Sequence, residues 1–293
     1  MQGCNVPSEP NVVLVTGASS GFGLLAAIGL AKRGCHVFAG VRSPDREALV
    51  HESASAAGTA VRTVRLDVTD ARQIEQAVGD VLAAAGRIDV LVNNAGFGMG
   101  GFFEDITDEE LRRQFDTNFF GLAAVTRAVL PGMRIRRSGR VINISSIAGR
   151  IAQPALSAYS ASKFALEGLS ESLRLELMLY GIDVVLIEPG TYKTDIWGRN
   201  RGFAQRAQDP SSPYYAMSQR LTTIVDRMVE KVGRDPAEVG ELICRVATMT
   251  RRPRMRYTTG PNVRLELAMR RFIPEKLYEA GARRILRKLF ADA

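Results

Sequence analysis

Tyr159 and Lys163 stand four residues apart in Tyr159-Ser160-Ala161-Ser162-Lys163, inside a stretch whose apolar spacing predicts a helix. On a helix that spacing puts both side chains on one face. A phenol with a reference pKa near ~10 is a poor base at neutral pH, but a neighbouring ammonium stabilises the phenolate and draws it toward the operating range. Upstream, Ser145-Ser146 closes a short apolar run that reads as a strand. A hydroxyl there, Ser146, can hydrogen-bond an oxygen on which charge develops. Together the three residues would move a proton to or from such an oxygen. Taken alone, a Tyr-x-x-x-Lys pair is as well explained by two exposed helical side chains.

A second constellation is Thr16-Gly17-Ala18-Ser19-Ser20-Gly21-Phe22-Gly23, a glycine-rich turn that follows a strand and opens a helix. Glycines there permit a tight turn and let a pyrophosphate reach the N–H groups and positive dipole of the helix start. The spacing, Gly-x-x-x-Gly-x-Gly, departs from the commoner Gly-x-Gly-x-x-Gly, and a purely structural turn accounts for it equally well in isolation. The end of the second strand sharpens the choice. It reads Ala39-Gly40-Val41-Arg42, with no carboxylate for the adenosine ribose hydroxyls and an arginine suited to a 2′-phosphate. The cofactor expected is therefore NADP(H), unless Arg42 is only a solvated loop residue.

Behind these residues the chain alternates short apolar runs with longer helical stretches, the rhythm of βαβ units. Val12 to Thr16, His36 to Val41, Val61 to Leu66, Ile88 to Val92, Arg140 to Ile144 and Asp183 to Ile187 are apolar on both faces, as strands of a parallel sheet covered on each side must be. Helices are expected near Gly23 to Arg33, Pro44 to Ala57, Asp70 to Ala85, Asp108 to Arg134, Ser157 to Tyr180 and Pro236 to Thr250. Thr107 with Glu110 forms a capping box. Thr191 to Pro213 is polar and reads as a mobile insertion before the next helix. The fold class that follows is α/β: a Rossmann-type, doubly wound parallel sheet flanked by helices, with residues 1–260 as one domain. Residues 261–293 form a basic helical C-terminal extension packed on it.

In this order the motifs resemble the short-chain dehydrogenase/reductase family, in its compact branch, over roughly Asn11 to Thr194. The resemblance adds Asp67-Val68 after the third strand, Asn93-Asn94-Ala95-Gly96 after the fourth, Asn118 in a helix, and Pro189-Gly190 with Thr194. It implies that Asp67 and Val68 contact adenine and that Asn94 lines the cofactor groove beside Ala95 and Gly96. Lys163 would also hold the nicotinamide ribose, and Pro189, Gly190 and Thr194 its nicotinamide end. Asn118 would anchor a water that relays protons through Lys163. Between Ser145 and Ser146, the family's usual spacing to the tyrosine selects Ser146. The implied activity is interconversion of a ketone or aldehyde with an alcohol by hydride transfer, with Tyr159 as general acid and base. The glycine turn and the strand Val37 to Arg42 most resemble the hydroxysteroid and retinol dehydrogenase-like group, which implies a bulky apolar substrate. Phe97, Met99, Phe102, Ile151, Leu156, Tyr192, Ile196 and Trp197 would wall its site, several of them doubling as core.

Other classes fit less well. A protein that only senses a dinucleotide need not retain a proton donor, yet Asn118, Ser146, Tyr159 and Lys163 are all present. The net charge of +8 is concentrated near the C-terminus, where Arg264 to Phe290 holds eight Lys or Arg against three Glu. No recognition helix or stacking-aromatic pattern accompanies it, so nucleic acid is not the expected partner. The tail, with Leu265, Phe272, Leu277 and Ile285 among its arginines, could lie on an anionic membrane. It is expected instead to cover the substrate cleft or a subunit interface. Cys4, Cys35 and Cys244, far apart and odd in number, suit a reducing compartment, and the first ten residues lack a secretory pattern. A cytoplasmic enzyme is expected. A metal is not, since His36 and His51 have no ligand partners nearby. The resemblance also implies a homodimer or homotetramer, built through the helices that begin near Asp108 and Ser157.

Overall fold

The computed structural model describes residues 9–194, 196 and 201–290. Its centre is a seven-stranded parallel sheet ordered β3-β2-β1-β4-β6-β7-β9. The strands are β1 (Val12–Thr16), β2 (His36–Val41), β3 (Arg62–Arg65), β4 (Val90–Asn93), β6 (Gly139–Ile144), β7 (Ile182–Pro189) and β9 (Arg256–Thr259). Alternation along β1 shows why apolar residues are needed on both faces. Val13 and Val15 join the cluster under α1 (Gly21–Lys32), α2 (Pro44–Ala56) and α8 (Ala237–Ala247), while Val12 and Leu14 join the one under α3 (Ala71–Ala85) and α5 (Leu122–Arg136). Strand order reverses between β1 and β4, and a ligand crevice is expected beyond the carboxyl ends there.

The expected long helix from Asp108 to Arg134 is divided. α4 (Asp108–Phe115), capped by the Thr107–Glu110 box, runs into a π-helical turn at Asp116–Gly121 before α5 begins. A π turn inserts one residue into the helical ladder, a device often found at functional positions. At its end a Cβ on Gly121 would lie 2.6 Å from the Val68 carbonyl oxygen, so the helix passes this loop closely only with glycine at that place.

Three strands escape the sequence reading. β9 has only four residues, Arg-Tyr-Thr-Thr, each half-buried at the sheet edge, so neither length nor apolar pattern announces it. β5 (Gly98–Gly100) pairs with β8 (Arg201–Phe203) in a separate small sheet, with Gly98 opposite Arg201. β8 lies within the stretch expected to be a mobile insertion, whose described residues are tied down instead. Ser212 is buried and donates to the Asp105 carboxylate at 2.8 Å, and the Ala204 N–H bonds the Gly100 carbonyl. Beyond it come α7 (Tyr215–Val232), α9 (Val263–Phe272) and α10 (Glu275–Leu289), while α6 (Ser157–Leu177) packs against β7. Among the described residues no helix is long and apolar enough to cross a membrane.

Candidate active site

At the carboxyl ends of the strands lies a cleft of about 610 Å³. Its floor begins at the glycine turn. Gly17 has φ +62°, and a Cβ there would sit 2.7 Å from the Ala95 Cα, so any side chain would be both strained and blocked. The Thr16 hydroxyl oxygen accepts from the Asn94 and Ala95 N–H groups at 3.0 Å, and Asn94 Nδ2 donates to the Thr16 and Gly17 carbonyls at 3.0 and 2.9 Å. Asn94 thus clamps the end of β4 to the turn after β1. Ser20, the residue before α1, is extended and makes no side-chain cap bond, which leaves the first N–H groups of α1 without a side-chain acceptor.

Ser19, Ser20, Gly21, Phe22, Arg42, Val68, Ala95, Gly96, Pro189, Gly190 and Thr194 border the cleft; Gly23 does not, and instead packs against Gly17. Arg42 is exposed and makes no ion pair with any described residue. Asp67 borders the cleft as well, but its Oδ1 is turned back to accept from the Thr69 N–H and hydroxyl. A glycine cradle, a helix start lacking a side-chain cap and, at the end of β2, an arginine with no ion pair among the described residues fit a dinucleotide, whose pyrophosphate Gly17 to Phe22 would hold.

Across the cleft stand Tyr159, Lys163 and Ser146. Tyr159 is 6% exposed and hydrogen-bonds Ser146, whose Oγ also accepts from the Ala148 N–H at 3.1 Å. Lys163 Nζ donates to the Ile144 carbonyl at 2.9 Å and lies 5.8 Å from the Tyr159 ring centre. The electrostatics revise the expectation that Lys163 draws the phenol down. Burial pushes the Tyr159 phenol above its ordinary value, with the Ser146 hydrogen bond opposing it. Burial lowers Lys163 to about 8, against the charge of Glu167 one helical turn on. The two groups are thereby driven apart, the phenol upward and the lysine downward, both by burial.

Asn118 is brought to this region by the π turn, 1% exposed, but its side chain is fully engaged elsewhere. Its Oδ1 accepts from the Phe97 N–H at 3.1 Å, and its Nδ2 donates to the Phe97 carbonyl at 2.9 Å and to Ser162 at 3.4 Å. Gln114 adds a second clip, donating to the Phe97 carbonyl and accepting from the Met99 N–H. The asparagine therefore fixes the strip after β4 that faces Tyr159.

The sequence profile of the short chain dehydrogenase family matches residues 11–204, which hold every one of these groups. The chain belongs to the short-chain dehydrogenase family. It is accordingly an oxidoreductase. An uncharacterised oxidoreductase of Bacillus subtilis, YusZ, is 42% identical over 92% of this chain and 96% of its own length. A 3-ketodihydrosphingosine reductase of Bacteroides thetaiotaomicron is 37% identical (94% and 97%), and human retinol dehydrogenase 8 is 36% identical (86% and 82%). Among solved structures, a short-chain dehydrogenase from Streptomyces avermitilis is 35% identical with a TM-score of 0.77 (97% and 98%). An actinorhodin polyketide ketoreductase with NADPH is 30% identical at 0.74 (87% and 97%), and a Burkholderia phymatum enzyme in complex with NAD is 26% identical at 0.78 (90% and 93%).

In this short-chain dehydrogenase the substrate side is less apolar than its sequence implies. Phe97 and Ile196 border the cleft. Met99 does not: it is completely buried, because the pleat of β5 turns it inward. Ile151 and Leu156 are half-buried outside the lining, Leu156 bridging to Gly101. Tyr192 borders the cleft but acts as a brace, 1% exposed, edge-on to Phe22 and bonded through its hydroxyl to Thr259 and Glu238. Trp197 lies outside the described residues. Nor does the tail cover the cleft, since no residue of 261–290 borders it.

Two arginines were missed. Arg201, opposite Gly98, pairs with Asp226 at 2.6 Å and stacks 4.6 Å from the Phe203 ring centre; Arg113 lies over Phe97 at 5.6 Å. Both border the cleft, and nothing in their sequence setting distinguishes them from surface cations. A buried charge cluster behind Pro189 was missed too. Glu188 is fully enclosed, pairs with Arg256 at 2.9 Å and Arg150 at 3.2 Å, and is held up to about 7 by burial and the Glu167 charge. The i, i+4 spacing of Lys163 and Glu167 was the one available signal.

Proposed function

We propose that this dehydrogenase reduces a bulky apolar ketone or aldehyde to an alcohol with NADPH, and catalyses the reverse oxidation, in the cytoplasm. The observation that carries the proposal is the Tyr159 phenol, buried, hydrogen-bonded to Ser146 and next to Lys163 at the edge of a cleft that fits a dinucleotide. When bound, the nicotinamide supplies or takes up the hydride. The protein's part is to hold the substrate oxygen and move its proton. Ser146 and Tyr159 would both hydrogen-bond that oxygen, fixing it in position and stabilising the charge that develops on it. Tyr159 donates its phenolic proton. A phenol held above its ordinary value is neutral at pH 7 and has that proton to give. Lys163, still largely charged near neutrality, stabilises the phenolate left behind.

Support for NADP(H) comes from Arg42 and the lack of a carboxylate at the end of β2, and the NADPH complex of a relative agrees. The NAD complex of another makes the arginine the deciding residue. A preference for NADPH over NADH of at least about tenfold is expected, the scale of one charge-assisted pair, and Arg42→Ala should abolish it. Equal use of both by the wild type would refute it. Support for the substrate class comes from Phe97 and Ile196, and from relatives that act on 3-ketodihydrosphingosine and retinol. A screen of steroid, retinoid, long-chain acyl and aromatic ketones, followed by NADPH absorbance, tests it. With the best substrate, Tyr159→Phe should retain NADPH binding yet lose at least about a hundredfold in turnover, as removal of a positioned proton donor does. An unimpaired Tyr159→Phe enzyme would overturn the mechanism.

A further inference from the structure

α9 and α10 carry an apolar stripe that no part of the described chain covers. Leu265, Met269, Phe272 and Ile273 follow the i, i+4, i+7, i+8 spacing of one helix face, and Leu277 and Ile285 continue it on α10 beyond Pro274. Phe272 is 75% exposed, Leu277 65%, Ile285 61% and Leu265 59%. The half-buried positions of α10, Tyr278, Ala282, Leu286 and Leu289, share one side of the helix, with Leu277 on the other side and Ile285 at the margin between them. Cations flank the stripe. Arg264, Arg271, Lys276, Arg284 and Lys288 are exposed, and residues 263–290 hold eight Lys or Arg against three Glu.

We propose that α9 and α10 dock the protein on an anionic lipid bilayer, the stripe entering the interface and the cations meeting lipid phosphates. An apolar face with Lys and Arg along its margins is the pattern of a helix lying in the membrane surface. Charge decides against a second copy, because two faces of this composition would set like charges against one another. Self-association also has a separate apolar patch, with Phe120, Phe164 and Leu175 exposed beside and along α5 and α6. Nucleic acid would use the cations but leave the apolar residues in water. One end of the helix pair sits behind the cleft wall, with Val263 buried against the lining residue Gly190; at the other, the Phe290 ring lies 6.4 Å from that of Phe102 just after β5. Docking would bring the cleft to the lipid surface, where the substrate class proposed above partitions; this consequence alone rests on that substrate reading.

Flotation of the full-length protein with vesicles separates binding from catalysis. Vesicles of phosphatidylcholine mixed with phosphatidylglycerol should carry the protein upward, and pure phosphatidylcholine should bind at least about tenfold more weakly, since each cation near an anionic surface adds attraction. Phe272→Glu with Leu277→Glu should abolish flotation while the melting temperature and ketone reduction in solution stay unchanged. Arg271→Glu with Arg284→Glu should lose the lipid discrimination. The proposal fails if wild type does not float with the mixed vesicles, or if the Phe272/Leu277 variant floats equally well. It also fails if that variant changes the oligomeric state in sedimentation velocity, which would assign the stripe to a second copy. Flotation that survives when no lipid-like ketone is reduced would overturn the substrate class and leave the docking intact.

Discussion

At the scale of single residues, Lys163 is the group whose environment most affects the chemistry. Burial brings it to about 8, so reduction should weaken as pH rises through that value and the neutral amine ceases to stabilise the phenolate. A falling limb in kcat/KM near pH 8 is expected. Lys163→Arg, whose guanidinium keeps its proton, should retain some activity without that limb. The lowered value also works on stability. The folded state gives up the proton before the unfolded chain does, so this group adds stability as pH rises from about 8 toward 10.5 and withholds it below 8. Lys163→Met should lack that rise in urea titrations. That Tyr159 and Lys163 stand together was legible from their spacing, because they are neighbours on one helix. The direction of the phenol's shift was not, since it comes from burial by elements distant in sequence.

At the scale of elements, the π turn between α4 and α5 sets the position of Asn118. Its amide, with that of Gln114, holds Phe97 and Met99 in the strip facing Tyr159. Gly121→Ala would press a methyl against the Val68 carbonyl, which borders the adenosine side of the cleft. It should cost about 1–3 kcal/mol of stability, the usual range for overpacking, and weaken cofactor binding, both measurable by thermal melts with and without NADPH. A variant as stable and as tight-binding as the wild type would show that the helix does not depend on this close approach. The sequence periodicity runs without interruption through Asp108 to Arg134, so the π turn could not be read from it. β9 and β5 were hidden for a related reason: three or four residues held by pairing partners carry too little pattern of their own.

At the scale of the whole molecule, two groups of apolar residues left in water concern assembly and docking. One is the tail. The other, on and beside α5 and α6, includes Phe120, Phe164, Leu175 and Ile135, the last 79% exposed. The second coincides with the helices through which oligomers were expected, and we assign self-association to it. Leu175→Glu should reduce the assembly to monomers in sedimentation velocity, and an unchanged oligomer would relocate the interface. The two surfaces sit on different elements, so an assembled protein could still present its tail helices.

The sequence by itself determined the family, the parallel sheet and the pairing of Tyr159 with Lys163, because each depends on local spacing: short apolar runs between helices, four residues from Tyr159 to Lys163, a glycine turn between strand and helix. Tertiary structure decided what spacing cannot carry. It put Met99 inside and Tyr192 at a brace, added Arg113 and Arg201 to a wall expected to be apolar, raised the phenol and lowered the lysine, and left the described tail residues outside the cleft lining. Each of these follows from which distant segments exclude water from a side chain, and that is settled only when the chain is packed.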